Sequence, residues 1–268
     1  NMPEFAQVTA SGYVGGNRAS LFVRQKNAKG KTGYRLGVTA AMLDSVLALH
    51  LTPVKAVIGY KNWTINDDNY INIGPGRRIA ADLQAASGAS SIALHSSVSS
   101  DSLPALDVDI NNLLIEDFLQ IAALAPPVTG AIDSRMHLVY HGSFITGNGS
   151  VGVSGLRYDG MEVGDLDFNF KAGMNFNGNV GCSLGLLLNK SEILRASGYI
   201  LNDSTSIRQN TRQLAQLKVD LLDFPLDIAN PFVGPDIMKL DGHLNGSMKL
   251  TGSMEAPMLN GEITCDSV

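Results

Sequence analysis

Chemistry in a protein starts from clustered ionisable or nucleophilic side chains, and this 268-residue chain offers few of them. His137 and His141 lie four apart on an alternating, strand-like stretch, so both project to the same polar face. A metal ion there needs a third ligand and a supporting shell, and the neighbouring sequence supplies neither. Asp67 and Asp68 sit between Asn66 and Asn69, a composition that makes a turn rather than a catalytic carboxylate pair. Asp165 and Asp167 alternate with apolar residues, as solvated strand positions do. Gly74-Pro75-Gly76-Arg77-Arg78 lacks the Gly-Lys-Ser/Thr ending of a phosphate-binding loop, and Gly149-Ser150-Val151-Gly152 does not complete a nucleophile elbow. Cys182 and Cys265 fit no metal spacing; they read as two buried small hydrophobes, with a disulfide left open. No catalytic, cofactor or metal site is expected, and the chain reads as non-enzymatic.

What remains is apolar surface. Charged residues are 17% of the chain, against about 25% in an ordinary soluble domain, so more oily surface than usual must be placed. The net charge of −5 argues against nucleic acid, whose phosphates need a basic partner. No run of about 18 uncharged apolar residues is present to span a membrane; the nearest, Leu113 to Val128, is broken by Glu116, Asp117 and Gln120. No signal peptide is visible. The abrupt start at Asn1 and the stop in mid-pattern at Val268 read as boundaries inside a longer chain.

The elements that place this surface have period two. Ile132, Met136, Leu138 and Tyr140 alternate with Asp133, Arg135, His137 and His141. Leu166, Phe168 and Phe170 alternate with Asp165, Asp167, Asn169 and Lys171. Leu184, Leu186 and Leu188 continue the pattern, as do Leu240, Leu244, Met248 and Leu250, with further examples at Ile92 to Val98, Leu106 to Ile110 and Leu217 to Leu221. Such alternation predicts strands with one dry and one wet face. Turn residues separate them at 66–69, 74–76, 147–149, 159–160, 177–178 and 260–261, which favours a long antiparallel meander over parallel units. The fold class is therefore all-β with few or no helices. One short helix is expected over Leu113 to Leu124, ended by Pro126-Pro127, and Ala40 to His50 fits either helix or strand. No set of helices is available to cover the dry face, which must close on itself or remain a groove.

Two stretches repeat, one from Leu106 and one from Leu217. Each runs strand, proline-containing connection, glycine, strand, glycine, pairing Gly130 with Gly242 and Gly142 with Gly252. Sub-repeats over 1–105, 106–216 and 217–268 of one continuous unit follow. The second stretch contains Leu240-Asp241-Gly242-His243-Leu244-Asn245-Gly246-Ser247-Met248-Lys249-Leu250-Thr251-Gly252, then Ala256-Pro257-Met258-Leu259-Asn260-Gly261-Glu262-Ile263. This wording resembles the glycine-punctuated signature of the TamB family, AsmA-like subunits of the translocation and assembly module of Gram-negative envelopes. Tyr158 to Phe170, and Trp63-Thr64-Ile65 through Ile73, resemble the family's middle repeats. The resemblance implies a periplasmic sheet curled into a U-shaped apolar trough, in a protein anchored in the inner membrane through parts outside this segment. It implies phospholipid acyl chains as ligand, lipid transport between the two membranes, and outer-membrane biogenesis with an Omp85-type partner resembling TamA. The groove would be lined by Ile132, Met136, Leu138, Tyr140, Leu166, Phe168, Phe170, Leu184, Leu186, Leu188, Leu240, Leu244, Met248 and Leu250. The alternative is a structural or chaperone-like β-scaffold that assists outer-membrane protein assembly without lipid in this segment.

Overall fold

Period-two alternation is realised as eighteen strands in an antiparallel meander, seen in a computed structural model that describes residues 5–52, 55–119, 126–142, 144–175, 178–202, 213–233, 239–253 and 256–266. The chain divides into two compact units, Asn1–Ile145 and Thr146–Val268. The first holds β1 (Phe5–Gly15), β2 (Arg18–Asn27), β3 (Thr32–Leu43), β4 (Val46–Leu51), β5 (Ala56–Ile58), β6 (Lys61–Ile65), β7 (Tyr70–Ile73), β8 (Ile79–Ser87), β9 (Ser90–Val98), β10 (Pro104–Leu114), the one-turn helix α1 (Ile115–Leu119) and β11 (Val128–His141). β12 (Phe144–Tyr158) opens the second. It continues with β13 (Met161–Met174), β14 (Val180–Leu188), β15 (Ser191–Asn202), β16 (Gln213–Pro225), a 3-10 turn at Leu226–Ala229 leading into α2 (Asn230–Val233), β17 (His243–Ser253) and β18 (Ala256–Asp266).

In the first unit the meander forks. One half of β3 pairs with β4 and the other meets β5 at Arg35 and Val57. The arms β4–β7 and β5–β6 rejoin on β8. Asn69 fills the crotch: its side-chain amide donates to the Leu51 carbonyl and its Oδ1 accepts the Leu51 N–H, both at 2.8 Å. The fork lets the dry face curl shut over Ala56, Trp63, Ile65, Leu83 and Ala85, beside a second buried group of Ala81, Leu106, Val108 and Tyr140.

One device recurs three times. Between Ile110 and Leu113, Val153 and Leu156, and Leu221 and Phe224, one strand carries a residue more than its partner. The second bulge residue is left-handed in each case: Asn112 (φ 44°), Gly155 (φ 59°) and Asp223 (φ 52°). Its N–H, turned out of the ladder, donates to a side-chain Oδ1 on the next strand: Asp133 at 2.9 Å, Asp165 at 2.7 Å and Asn245 at 2.8 Å. The first and third copies fall in the two sequence repeats. Each is followed by a short helix carrying a phenylalanine, Phe118 on α1 and Phe232 on α2.

Several sequence expectations change. Ala40 to His50 is strand, turn and strand. Of the expected helix, 115–119 forms, 113–114 ends β10, and 120–124 lies outside the described residues. The pairs around Gly147-Asn148-Gly149 and Asn260-Gly261 are not turns but the interiors of β12 and β18. Leu240 is not on a strand: β17 starts at His243, and Asn230 binds the Leu240 N–H and carbonyl at 2.7 and 2.9 Å. Cys265 is exposed rather than buried, and both cysteines are free. Replacing Asp133 by alanine strands the Asn112 amide and is expected to lower unfolding stability by about 1 kcal/mol. Urea unfolding followed by the fluorescence of Trp63, the single tryptophan and buried in this unit, checks it.

Candidate functional site

Antiparallel pairing in the second unit lines the alternating residues up into rows that cross its strands. Val151, Phe168, Leu186, Leu194, Leu221, Gly246 and Ile263 stand opposite one another from β12 to β18. The next row is Gly149, Phe170, Leu184, Ala196, Val219, Met248 and Gly261, and the third is Gly147, Ala172, Cys182, Gly198, Leu217, Leu250 and Leu259. No charged or hydroxyl side chain interrupts these three rows. The opposite face carries equally regular polar rows, such as Lys171, Ser183, Ser197, Lys218, Lys249 and Asn260. At Gly261 the reason for glycine is steric: a Cβ there would run into the β17 backbone at the Ser247 carbonyl oxygen and the Met248 Cα, and would stand 2.8 Å from the Cγ of the buried Met248.

Most dry-face side chains of this unit are half-buried, and Phe168 is 37% exposed beside Phe170, their ring centroids 6.2 Å apart. Leu166, Leu184, Leu186, Leu188, Leu244 and Leu250 are half-buried too. α2 sets Phe232 against Tyr158 with ring centroids 4.7 Å apart, yet Phe232 stays 59% exposed. Burial pushes the Cys182 thiol above its ordinary range, so it is a neutral member of its row.

The first unit treats the same face differently. Met136 and Tyr140 pack into the group around Ala81, Leu106 and Val108, while Ile132 pairs with Leu113 and Leu138 with Leu106. α1 is pinned over the end of this core. Phe118 meets Trp63 edge-on with centroids 5.9 Å apart, the Tyr34 hydroxyl donates to the Asp117 carbonyl at 2.5 Å, and Lys61 Nζ lies 2.6 Å from the buried Asp117 carboxylate. Of the four residues named from this unit, Met136 and Tyr140 therefore belong to a core group, while Ile132 and Leu138 are half-buried beside their cross-strand partners. Those from the second unit, Leu240 excepted, share one apolar face.

Sequence reasoning missed a polar row. Asp82, His95, Asp107 and His137 stand directly opposite one another on β8 to β11. His137 Nδ1 is 2.6 Å from Asp107 Oδ1, and His95 Nδ1 is 3.8 Å from Asp82 Oδ1. Burial acts to raise the Asp107 pKa, but the Ser97 hydroxyl and His137 outweigh it and hold the carboxyl below its ordinary range. His137 is thus paired across strands, not with His141 on its own strand. Among the described residues no group of three His, Cys, Asp or Glu side chains is arranged to hold a metal ion, and no helix is long and apolar enough to cross a membrane.

Comparison of the chain with protein-family models, curated proteins and solved structures found no match in any of the three. The α1 clasp gives a pH prediction. Burial, then the charge of Asp117 and the neighbouring Tyr60, push the Tyr34 phenol up to about 12. A raised folded-state pKa favours the neutral phenol, so its contribution is complete below the unfolded value near 10 and is lost as pH rises through about 12. The thermal midpoint reported by Trp63 should therefore fall over that window, and Tyr34→Phe should flatten the fall.

Proposed function

We propose that this chain is a non-enzymatic, periplasmic segment of a TamB-like envelope protein. The apolar face of Thr146–Val268 would accommodate phospholipid acyl chains moving between inner and outer membranes, in support of outer-membrane biogenesis. The observation that carries the reading is the set of uninterrupted apolar rows from β12 to β18, most of whose side chains keep part of their surface in solvent. Each methylene taken up on such a surface gains about 0.8 kcal/mol, and no polar chemistry is needed to hold it. A face of this kind ranks ligands by apolar length and not by identity. In the first unit the same face is filled by its own side chains, so lipid is assigned to the second.

The test is native mass spectrometry of the purified chain. The wild type should carry acyl lipid. Leu186→Asp and Met248→Asp, each placing a carboxylate in a dry row, should lose most of it while keeping the circular dichroism of a sheet. Folded wild-type protein without lipid, or folded variants that retain it, would overturn the reading.

A second reading, a scaffold that adds strands to outer-membrane clients, is favoured by the two edges. β1 has no charged residue across Phe5–Gly15 and pairs with β2, while β18 pairs with β17; among the described residues neither has a second partner. A long uncharged edge such as β1 templates further pairing, whereas β18 carries Glu262 and Asp266. Under this reading Val8→Lys should abolish capture of an extended client peptide in a pull-down and leave lipid content unchanged.

A further inference from the structure

The wet face of the first unit holds a cleft of about 550 Å³ that the lipid reading does not use. Tyr13 stands at one end and Tyr70 at the other, 67% and 37% exposed. Register joins them: Tyr13 is opposite Ser20, Ser20 opposite Thr39 and Thr39 opposite His50, and Tyr70 follows where Leu49 pairs with Ile71. The tyrosines are four strand steps apart, about 19 Å along the sheet. Beside this row runs a low one of Gly15, Ala41 and Ala48, with Arg18 projecting from it. The hydroxyl end of the Tyr13 ring lies over Gly15, in the space a Cβ would take, and the side chain remains largely exposed.

The polar groups between the two rings are mostly neutral. Ser20 and Thr39 each both donate and accept. His50 Nδ1 lies 2.7 Å from the Asn69 carbonyl, which can only accept, so Nδ1 carries the proton and Nε2 remains an acceptor. Among the described residues Arg18 is the single permanent charge in the walls. Aromatic platforms at the ends, a low floor and neutral hydrogen-bonding groups between them suit a ligand that is ring-shaped, hydroxyl-rich, uncharged and longer than one ring. We infer that this cleft binds an oligosaccharide laid across the strands, with pyranose faces on Tyr13 and Tyr70 and ring hydroxyls on Ser20, Thr39 and His50. A lipid headgroup would ask for more cationic charge, and an acyl chain would leave the row of hydroxyls unsatisfied.

Isothermal titration of the full chain with chitotetraose, cellotetraose and maltotetraose tests this. At least one should bind at millimolar concentration or better. Tyr13→Ala and Tyr70→Ala should each weaken it tenfold or more, and Tyr13→Phe should retain it. Tyr199→Ala, which removes an exposed tyrosine of the other unit, should leave binding unchanged. Circular dichroism identifies any variant that fails to fold, and the remaining tyrosine variant then decides. Failure of all three sugars to bind, binding that survives both alanine variants, or binding of anionic phospholipid vesicles at this cleft in place of sugar overturns the inference. Lipid content by native mass spectrometry should not change in Tyr13→Ala, which separates this result from the fate of the lipid reading.

Discussion

Everything in this molecule rests on keeping strand register. Side chains alternate with a period of two, so a slip of one residue would exchange the dry and wet faces of every strand beyond it. Extra residues nonetheless occur at several places along the described strands, and at three of them the surplus sits in a bulge whose left-handed residue donates its N–H to Asp133, Asp165 or Asn245. The bond is worth on the order of 1 kcal/mol. The apolar surface whose orientation it guards is worth many times that, because each misplaced leucine or phenylalanine alone forfeits about 2–3 kcal/mol.

The same strand, bulge, short helix and strand serve two ends. In the first unit the sheet forks, and α1 is clasped by Lys61 and Tyr34 so that Phe118 closes onto Trp63. In the second unit α2 brings Phe232 only against Tyr158 and leaves most of that ring in solvent. Its dry face is more exposed. A closed core and an open apolar face thus come from one pattern, and the difference lies in what is folded over it.

The alternation, the all-β class, a short helix within 113–124 and the turns at 66–69, 74–76 and 159–160 were legible because they are local properties of the chain, while residue 177 of the expected turn at 177–178 lies outside the described residues. The pairing of Asn112 with Asp133 and of Asp223 with Asn245 was not legible. Asp133 and Asn245 look like any other solvated strand residue until the facing strand is known. Gly147, Gly149 and Gly261 were misread as turns for the same reason: glycine marks a turn by its own conformational freedom, but Gly149 and Gly261 stand opposite Phe170 and Met248, and Gly147 opposite Ala172, inside paired strands. The Asp82–His95–Asp107–His137 row spans four strands, and the Tyr13–Tyr70 cleft depends on a fork that no local pattern announces. Leu240 kept the alternation of β17 but lies beyond its first residue, where Asn230 takes over its backbone hydrogen bonds.

The interleaving of glycine with leucine, phenylalanine and methionine in the dry rows also shapes the surface as terrain. Its corrugation repeats at the strand spacing of about 4.8 Å and is shallow, since small and bulky residues interlock instead of standing as separate ridges. Under the proposed reading, a flexible hydrocarbon lying on this face would exchange one set of methyl and methylene contacts for a nearly equivalent set at every step. With no polar anchor in the path there is neither a deep trap nor a high pass. Adhesion would then be spread evenly, and movement across the strands would meet little more resistance than the ripple itself.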